Sequence, residues 1–189
     1  MKSLSHFLLL LVSLFYLSGC GGSATSNISN IPEWYTNPPS DPNYLFAPAT
    51  AVSKDMQLAV DKAVTGGRAD IARQTEVKLK GLQKKFDEEV GVGENATLLQ
   101  QFTEATKTVV STVLSGSKAE KQQIFENGGS YRAYVLVQYP VGAANEAFLN
   151  QVKKKEELYT RYRSSQAYEE LEKEVEAYEK YKKEQGMLQ

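Results

Sequence analysis

The chain has 189 residues, of which 41% are hydrophobic and 24% charged, and its formal net charge is −1. That length fits one domain with appendages and can bury an ordinary core. The near-neutral balance argues against a nucleic-acid partner, which normally meets a basic patch or stripe.

The first twenty residues read as a leader. Lys2 supplies a basic start, Phe7 to Tyr16 an apolar run, and Leu17-Ser18-Gly19-Cys20 a small-residue ending. The run is too short for a bilayer core, which takes about 20 residues, and suits a signal peptide instead. Leu-Ser-Gly-Cys resembles a bacterial lipobox. The resemblance implies cleavage between Gly19 and Cys20, with Cys20 as first residue of the mature chain and bearer of the acyl chains. No other cofactor is expected. The alternatives are an ordinary secretory signal with a chance cysteine, or an uncleaved anchor. Gly21 in the next position resembles lipoproteins sorted to the outer membrane, which implies the periplasmic face of a Gram-negative envelope. Residues 20–43 are expected to form a flexible tether followed by a Pro-rich arm. From Cys20 to Ile31 the Gly/Ser/Asn-rich stretch would span roughly 20 Å on average, keeping the body near the membrane.

The arm holds Pro32, Trp34, Tyr35, Asn37, Pro38 and Pro39, and its proline density predicts an extended, turn-punctuated segment. Trp34 is expected to pack it onto the domain. Residues 44–155 are read as an α+β domain. Tyr44 to Ser53 reads as a strand whose Pro48 confines it to an edge or a bulge. From Asp55 to Val90 a helical spacing puts Val60, Val64, Gly67, Ile71, Thr75, Leu79, Leu82, Phe86 and Val90 on one face. Ala59, Ala63 and Gly66-Gly67 form a small-residue patch open to close approach. Asn95 should cap a second helix that turns Leu98, Leu99, Phe102, Thr106, Val109 and Val113 inward and ends at Gly116. A hairpin follows, with strands over 121–126 and 131–139 around Asn127-Gly128-Gly129.

Ala143 to Gln185 reads as one helix, with residues 156–189 as a separate charged segment. Residues 153–184 hold 18 charged positions of 32, with Tyr168, Leu171, Val175 and Tyr178 as a narrow stripe. A 43-residue helix would be about 65 Å long, so it either overshoots the domain or breaks, at Ser164-Ser165. An overshooting helix would seek a partner; a solvated tail is the other outcome. The expected architecture is α+β: a small antiparallel sheet of about three strands on two long helices, plus a long charged C-terminal helix.

Chemistry is scarce. Both His6 and Cys20 fall in the leader, so the mature chain would hold no imidazole and no free thiol. That removes Ser-His-Asp and Cys-His sites and the usual zinc ligand sets, so no metal and no catalytic residue is expected. Carboxylate-only hydrolysis survives on paper. Asp70, flanked by Ala69, Ile71 and Ala72, is the one acid set among small and apolar residues, and a pair with Arg73 accounts for it.

Taken in order, the lipobox, Pro32-x-Trp34-Tyr35-x-Asn37-Pro38-Pro39, the strand at Tyr44 and the helix with Ala59, Ala63 and Arg68-Ala69-Asp70-Ile71-Ala72 resemble the Lpp-twenty family of outer-membrane lipoproteins. Relatives include a flagellar lipoprotein that builds a disc or ring around the motor. The resemblance covers roughly residues 17–140. Ala47-Pro48-Ala49 departs from the glycines of the family strand, and the charged helix is longer than the family domain needs. What the resemblance implies is a non-enzymatic scaffold that multimerises on the membrane. The sequence-level expectation is therefore a self-associating, lipid-anchored envelope lipoprotein with a possible flagellar setting. Its subunit contacts are expected at the Pro-rich arm and the sheet edge near Tyr44. A peptidoglycan- or envelope-protein-binding lipoprotein is the first alternative, and a carboxylate-dependent envelope hydrolase the remote one.

Overall fold

A computed structural model gives the fold, describing residues 30–91 and 96–186. The leader, Gly19, Cys20, the tether up to residue 29 and the expected cap Asn95 lie outside the described residues. In chain order the elements are α1 (Glu33–Thr36), β1 (Tyr44–Ser53), α2 (Met56–Val90), α3 (Ala96–Gly116), β2 (Lys118–Asn127), β3 (Ser130–Pro140), α4 (Val141–Lys153), α5 (Glu156–Tyr162) and α6 (Gln166–Glu184). The sheet is antiparallel throughout, in the order β1-β3-β2. The α+β class, the three strands and the two long helices packed on them agree with the sequence.

The hairpin turns where Asn-Gly-Gly demands it. Gly128 and Gly129 adopt φ of 57° and 74°, the left-handed pair that a two-residue type I′ loop requires. In β3, the central strand, Ala133, Val135, Val137 and Tyr139 are buried toward the long helices. Tyr134 and Leu136 point to the other face and are buried as well. β1 is an edge strand, one of the two outcomes Pro48 allowed, and pairs along its whole length with β3.

Asp55 starts α2 by accepting a hydrogen bond from the Leu58 amide at 2.7 Å, and Gly91 (φ 81°) ends it. The helix runs unbroken through Gly66-Gly67. Its first buried positions are Ala59 and Ala63, whereas Val60 and Val64, expected inward, sit half-buried at the flank. The cause is closeness. A Cβ at Gly67 would stand 2.4 Å from Val137 Cγ2 and 3.4 Å from the Ala47 carbonyl oxygen, so helix and sheet touch there with no room for a branched side chain. Farther along, Ile71, Thr75, Leu79, Leu82 and Phe86 follow the expected stripe. On α3, Ala105 is buried in addition to the expected set, and Leu99 is only half-buried.

One correction concerns the C-terminal third. The expected single helix is three: α4 begins at Val141, a first break falls at Lys154-Lys155, and a second at 163–165, around the Ser164-Ser165 pair that marked it in the sequence. The breaks let the chain fold back. Ile31–Gln189 forms one compact unit, so no boundary falls between residues 155 and 156, and the segment is neither an overshooting arm nor a tail. Tyr162 is why it returns. Fully buried, its ring lies 5.3 Å from Phe86 of α2, 5.4 Å from Phe102 of α3, 6.3 Å from Phe148 of α4 and 5.7 Å from Tyr168 of α6. The Tyr162 hydroxyl donates to the Ala167 carbonyl at 3.2 Å. Ser165 then caps α6, accepting from the Tyr168 amide, while both carboxylate oxygens of Glu89 accept from the Gln166 amide across the interface. Pairs Lys78–Glu174 and Lys85–Glu170 tie α6 to α2 along its length. Such exposed pairs contribute only about 0–1 kcal/mol each. The rings hold the helix; the charges set its register.

The two neighbouring glycines should behave oppositely. Gly67→Ala is expected to destabilise the protein by about 1–3 kcal/mol through the clash with Val137. Gly66→Ala meets only Ala49 Cβ at 3.9 Å and should stabilise by up to about 1 kcal/mol through helix propensity. Urea unfolding of the two variants beside the parent measures both signs.

Candidate functional site

The arm is a strap over the outer face of the sheet. Contrary to the extended segment expected, it contains one helical turn, α1, which starts directly after Pro32 and ends before Pro38. Proline is harmless at a helix start, and the next one comes beyond the end, so the four residues between are free to coil. Pro32 is buried and Trp34 half-buried. Tyr35 makes the defined contact, its ring edge-on to Tyr134 at 4.9 Å, and Tyr134 meets Phe125 of β2 at 5.9 Å. Because Tyr134 alternates with the helix-facing Val135 and Val137, the strap lies on the face opposite the long helices. Asn37, Pro38 and Pro39 are exposed. The Asn37 amide donates to the Glu33 carbonyl at 2.8 Å, and farther on Asp41 accepts from the Asn43 amide at 2.7 Å. Between these two turns Pro38-Pro39-Ser40 stands out from the body.

Beside the strap's exit runs a ladder of half-buried rings that sequence inspection did not group. Phe46 and Tyr44 of β1 lie 6.1 Å apart, Tyr44 meets Tyr181 of α6 edge-on at 6.5 Å, and Tyr181 stacks on Tyr178 at 6.3 Å and 20°. Lys182 places its ammonium 4.9 Å from the Tyr178 ring centre and pairs with Glu146 at 2.9 Å. A Cβ at Gly142 would stand 2.0 Å from Tyr178 Cγ, so the first turn of α4 seats that ring directly on backbone. Next to it opens a groove of about 310 Å³, rimmed by Pro42 and Tyr178. Glu174 lines it, paired to Lys78 and accepting from Asn145 Nδ2 at 2.6 Å. The signal in the sequence was Tyr178 and Tyr181 three residues apart on one helix; what it lacked was Tyr44, 137 positions away in register with them.

The rings titrate late. The hydrogen bond with Tyr181, with partial burial, pushes the Tyr44 phenol up to about 12. Burial raises Tyr139 and Tyr178, and it raises Tyr162 and Tyr168 further still. The bond to Glu146 raises Lys182.

The sheet edges are poor templates for strand addition, which counts against the contact expected at the edge near Tyr44. A proline fits a ladder only with its nitrogen turned to the free side, so Pro48 leaves β1's outer rim without a donor at mid-strand. β2 carries Lys118, Glu120, Lys121 and Glu126 and a register shift between Ala119 and Lys121, devices that discourage pairing. Among the described residues, no group of three or more His, Cys, Asp or Glu is placed to hold a metal ion, and no helix is long and apolar enough to cross a membrane. Asp70 pairs with Arg73 and accepts from Gln74 on an open helix face. Comparison of the chain with family models, curated proteins and solved structures finds no match.

Raised tyrosine pKa values make an alkaline prediction. A phenol that stays protonated longer in the folded state contributes its full stability below the unfolded value of about 10, and loses it as pH rises from there through the folded value. The urea midpoint should therefore hold level up to about pH 10 and fall steeply from there through about pH 12. Tyr162→Phe should cost about 1 kcal/mol near neutral pH, through loss of the hydroxyl's bond to the Ala167 carbonyl, and should make the alkaline fall shallower. Unfolding curves across that pH range test both effects.

Proposed function

We propose that this chain is a non-enzymatic, lipid-anchored lipoprotein of the bacterial cell envelope, held on the periplasmic face of the outer membrane through Cys20 and acting as a self-associating scaffold. The observation that carries the reading is the leader itself: Lys2, the apolar run to Tyr16 and Leu17-Ser18-Gly19-Cys20, followed by a polar tether that joins a compact body at Ile31. Two or more acyl chains on one cysteine give stable attachment at about 0.8 kcal/mol per buried methylene. The tether's reach of roughly 20 Å holds the body close to the lipid headgroups. A flagellar disc or ring as the setting is supported by the family resemblance alone.

The anchor is tested by fractionation. The parent chain should partition with membranes and yield an acylated N-terminal peptide by mass spectrometry, whereas Cys20→Ser should move to the soluble periplasmic fraction or remain unprocessed with its leader. A variant that is processed and still partitions with membranes as the parent does overturns the anchoring.

A further inference from the structure

From the way the arm is attached, we propose that it is a releasable strap. When body and membrane are drawn apart, residues 31–42 peel from the outer face of the sheet while the body stays folded. Release lengthens the leash and uncovers Tyr134 and Leu136. The lengthening rests on anchoring at Cys20; the opening itself does not.

The strap is held by few and separable contacts. Among the described residues, every hydrogen bond made by residues 32–42 closes within residues 32–44. The Tyr35 amide donates to the Pro32 carbonyl, and the Asn37 amide and Thr36 hydroxyl both donate to the Glu33 carbonyl. Asp41 accepts from the amides of Asn43 and Tyr44. What fixes the strap to the sheet is apolar: buried Pro32, half-buried Trp34 and the Tyr35 ring on Tyr134. Beneath it lie Tyr134 and, two residues on along the same face, Leu136, both buried. The first hydrogen bond to the body comes at the far end, where the Asn43 carbonyl accepts from the Val141 amide at 2.9 Å. From Tyr44 onward all ten residues of β1 are paired with β3. A segment with few buried contacts and no hydrogen bonds to its neighbours opens at well below the cost of global unfolding. A single helical turn has no stability of its own, so α1 melts as it lifts.

The direction of load favours release. The tether joins at Ile31, the strap's free end, so a pull strains Pro32 first and Tyr35 next instead of all contacts at once. The peel stops at Asn43, where bonds to the body begin. Between Cys20 and the body the chain then grows from 11 residues (20–30) to 23 (20–42), so its fully drawn length rises from roughly 40 Å to roughly 80 Å.

Trp34, the only tryptophan, stands on the strap and reports its opening. For the full chain in zwitterionic detergent micelles, Trp34 fluorescence should change at lower urea, and with a smaller m-value, than far-UV ellipticity. Hydrogen exchange should show the Tyr35 and Asn37 amides opening at urea concentrations that leave the amides of β3 protected. Tyr35→Ala should move the fluorescence transition to lower urea and leave the ellipticity transition in place. Coincident transitions in the parent, or an ellipticity transition that moves as far as the fluorescence one in Tyr35→Ala, overturn the strap, because arm and body then unfold as one. The leash is tested by pulling on Ser111→Cys, exposed on α3, with the chain held in a bilayer by its own lipid. A first short step of at most about 40 Å should precede unfolding of the body and should vanish in Trp34→Ala/Tyr35→Ala. Unfolding of the parent body with no earlier step overturns the lengthening. A chain that the bilayer never retains overturns the anchor, and the micelle transitions still decide the opening.

Discussion

Everything in this body turns on the ring of Tyr162. Four helices, α2, α3, α4 and α6, each place one aromatic side chain against it, and α5, the two-turn helix that carries it, buries Leu158 beside it. Truncating a ring of this kind to alanine removes about 3–5 kcal/mol, a large share of the stability of a domain this size. The phenol also carries a constraint that phenylalanine would not. Its hydroxyl must find a partner when buried, and the partner it finds is a carbonyl in the first turn of α6. The direction of the last helix follows from that bond and from the Ser165 cap next to it.

Two glycines set the spacing of the layers around this knot. At Gly67 the long helix rests on Val137 of the central strand, and at Gly142 the first turn of α4 rests on the Tyr178 ring. Each close approach fixes a distance and not merely a contact. Ala59 and Ala63 take the buried positions near the first, displacing the larger valines beside them. Packing at this range leaves few alternative arrangements, since interiors are filled to crystal-like density.

Much of the fold was legible because local chemistry and tertiary need agreed. An edge position for β1 was one of the two outcomes Pro48 allowed, the hairpin was written in Asn127-Gly128-Gly129, and the last break in Ser164-Ser165. What was not legible depended on pairs far apart in the chain. A helical period shows that one face of α2 is buried, but which of its residues must be small depends on the strand it meets, as Gly67 depends on Val137. The C-terminal stripe of Tyr168, Leu171 and Val175 was visible, and its partner was already in the chain, on α2 and α4. Charge density there suggested solvent; the pairs Lys78–Glu174 and Lys85–Glu170 show that some of those charges face the protein's own surface. The arm's helical turn escaped because proline count says less than proline position. The ladder of tyrosines escaped for the same reason as the valines: Tyr44 joins it from the other end of the sequence.

The fold-back of the last helix governs when this molecule can come into being. A polypeptide emerging from a ribosome or a translocation channel supplies Phe86 and Phe102 early, yet the cluster stays open until Tyr168 arrives, and the seat at Gly142 stays empty until Tyr178 does. Closing contacts that span the sequence this widely makes folding slow relative to local helix formation. A chain delivered N-terminus first thus cannot close this cluster until α6 emerges, and the segment delivered last is the one that locks it.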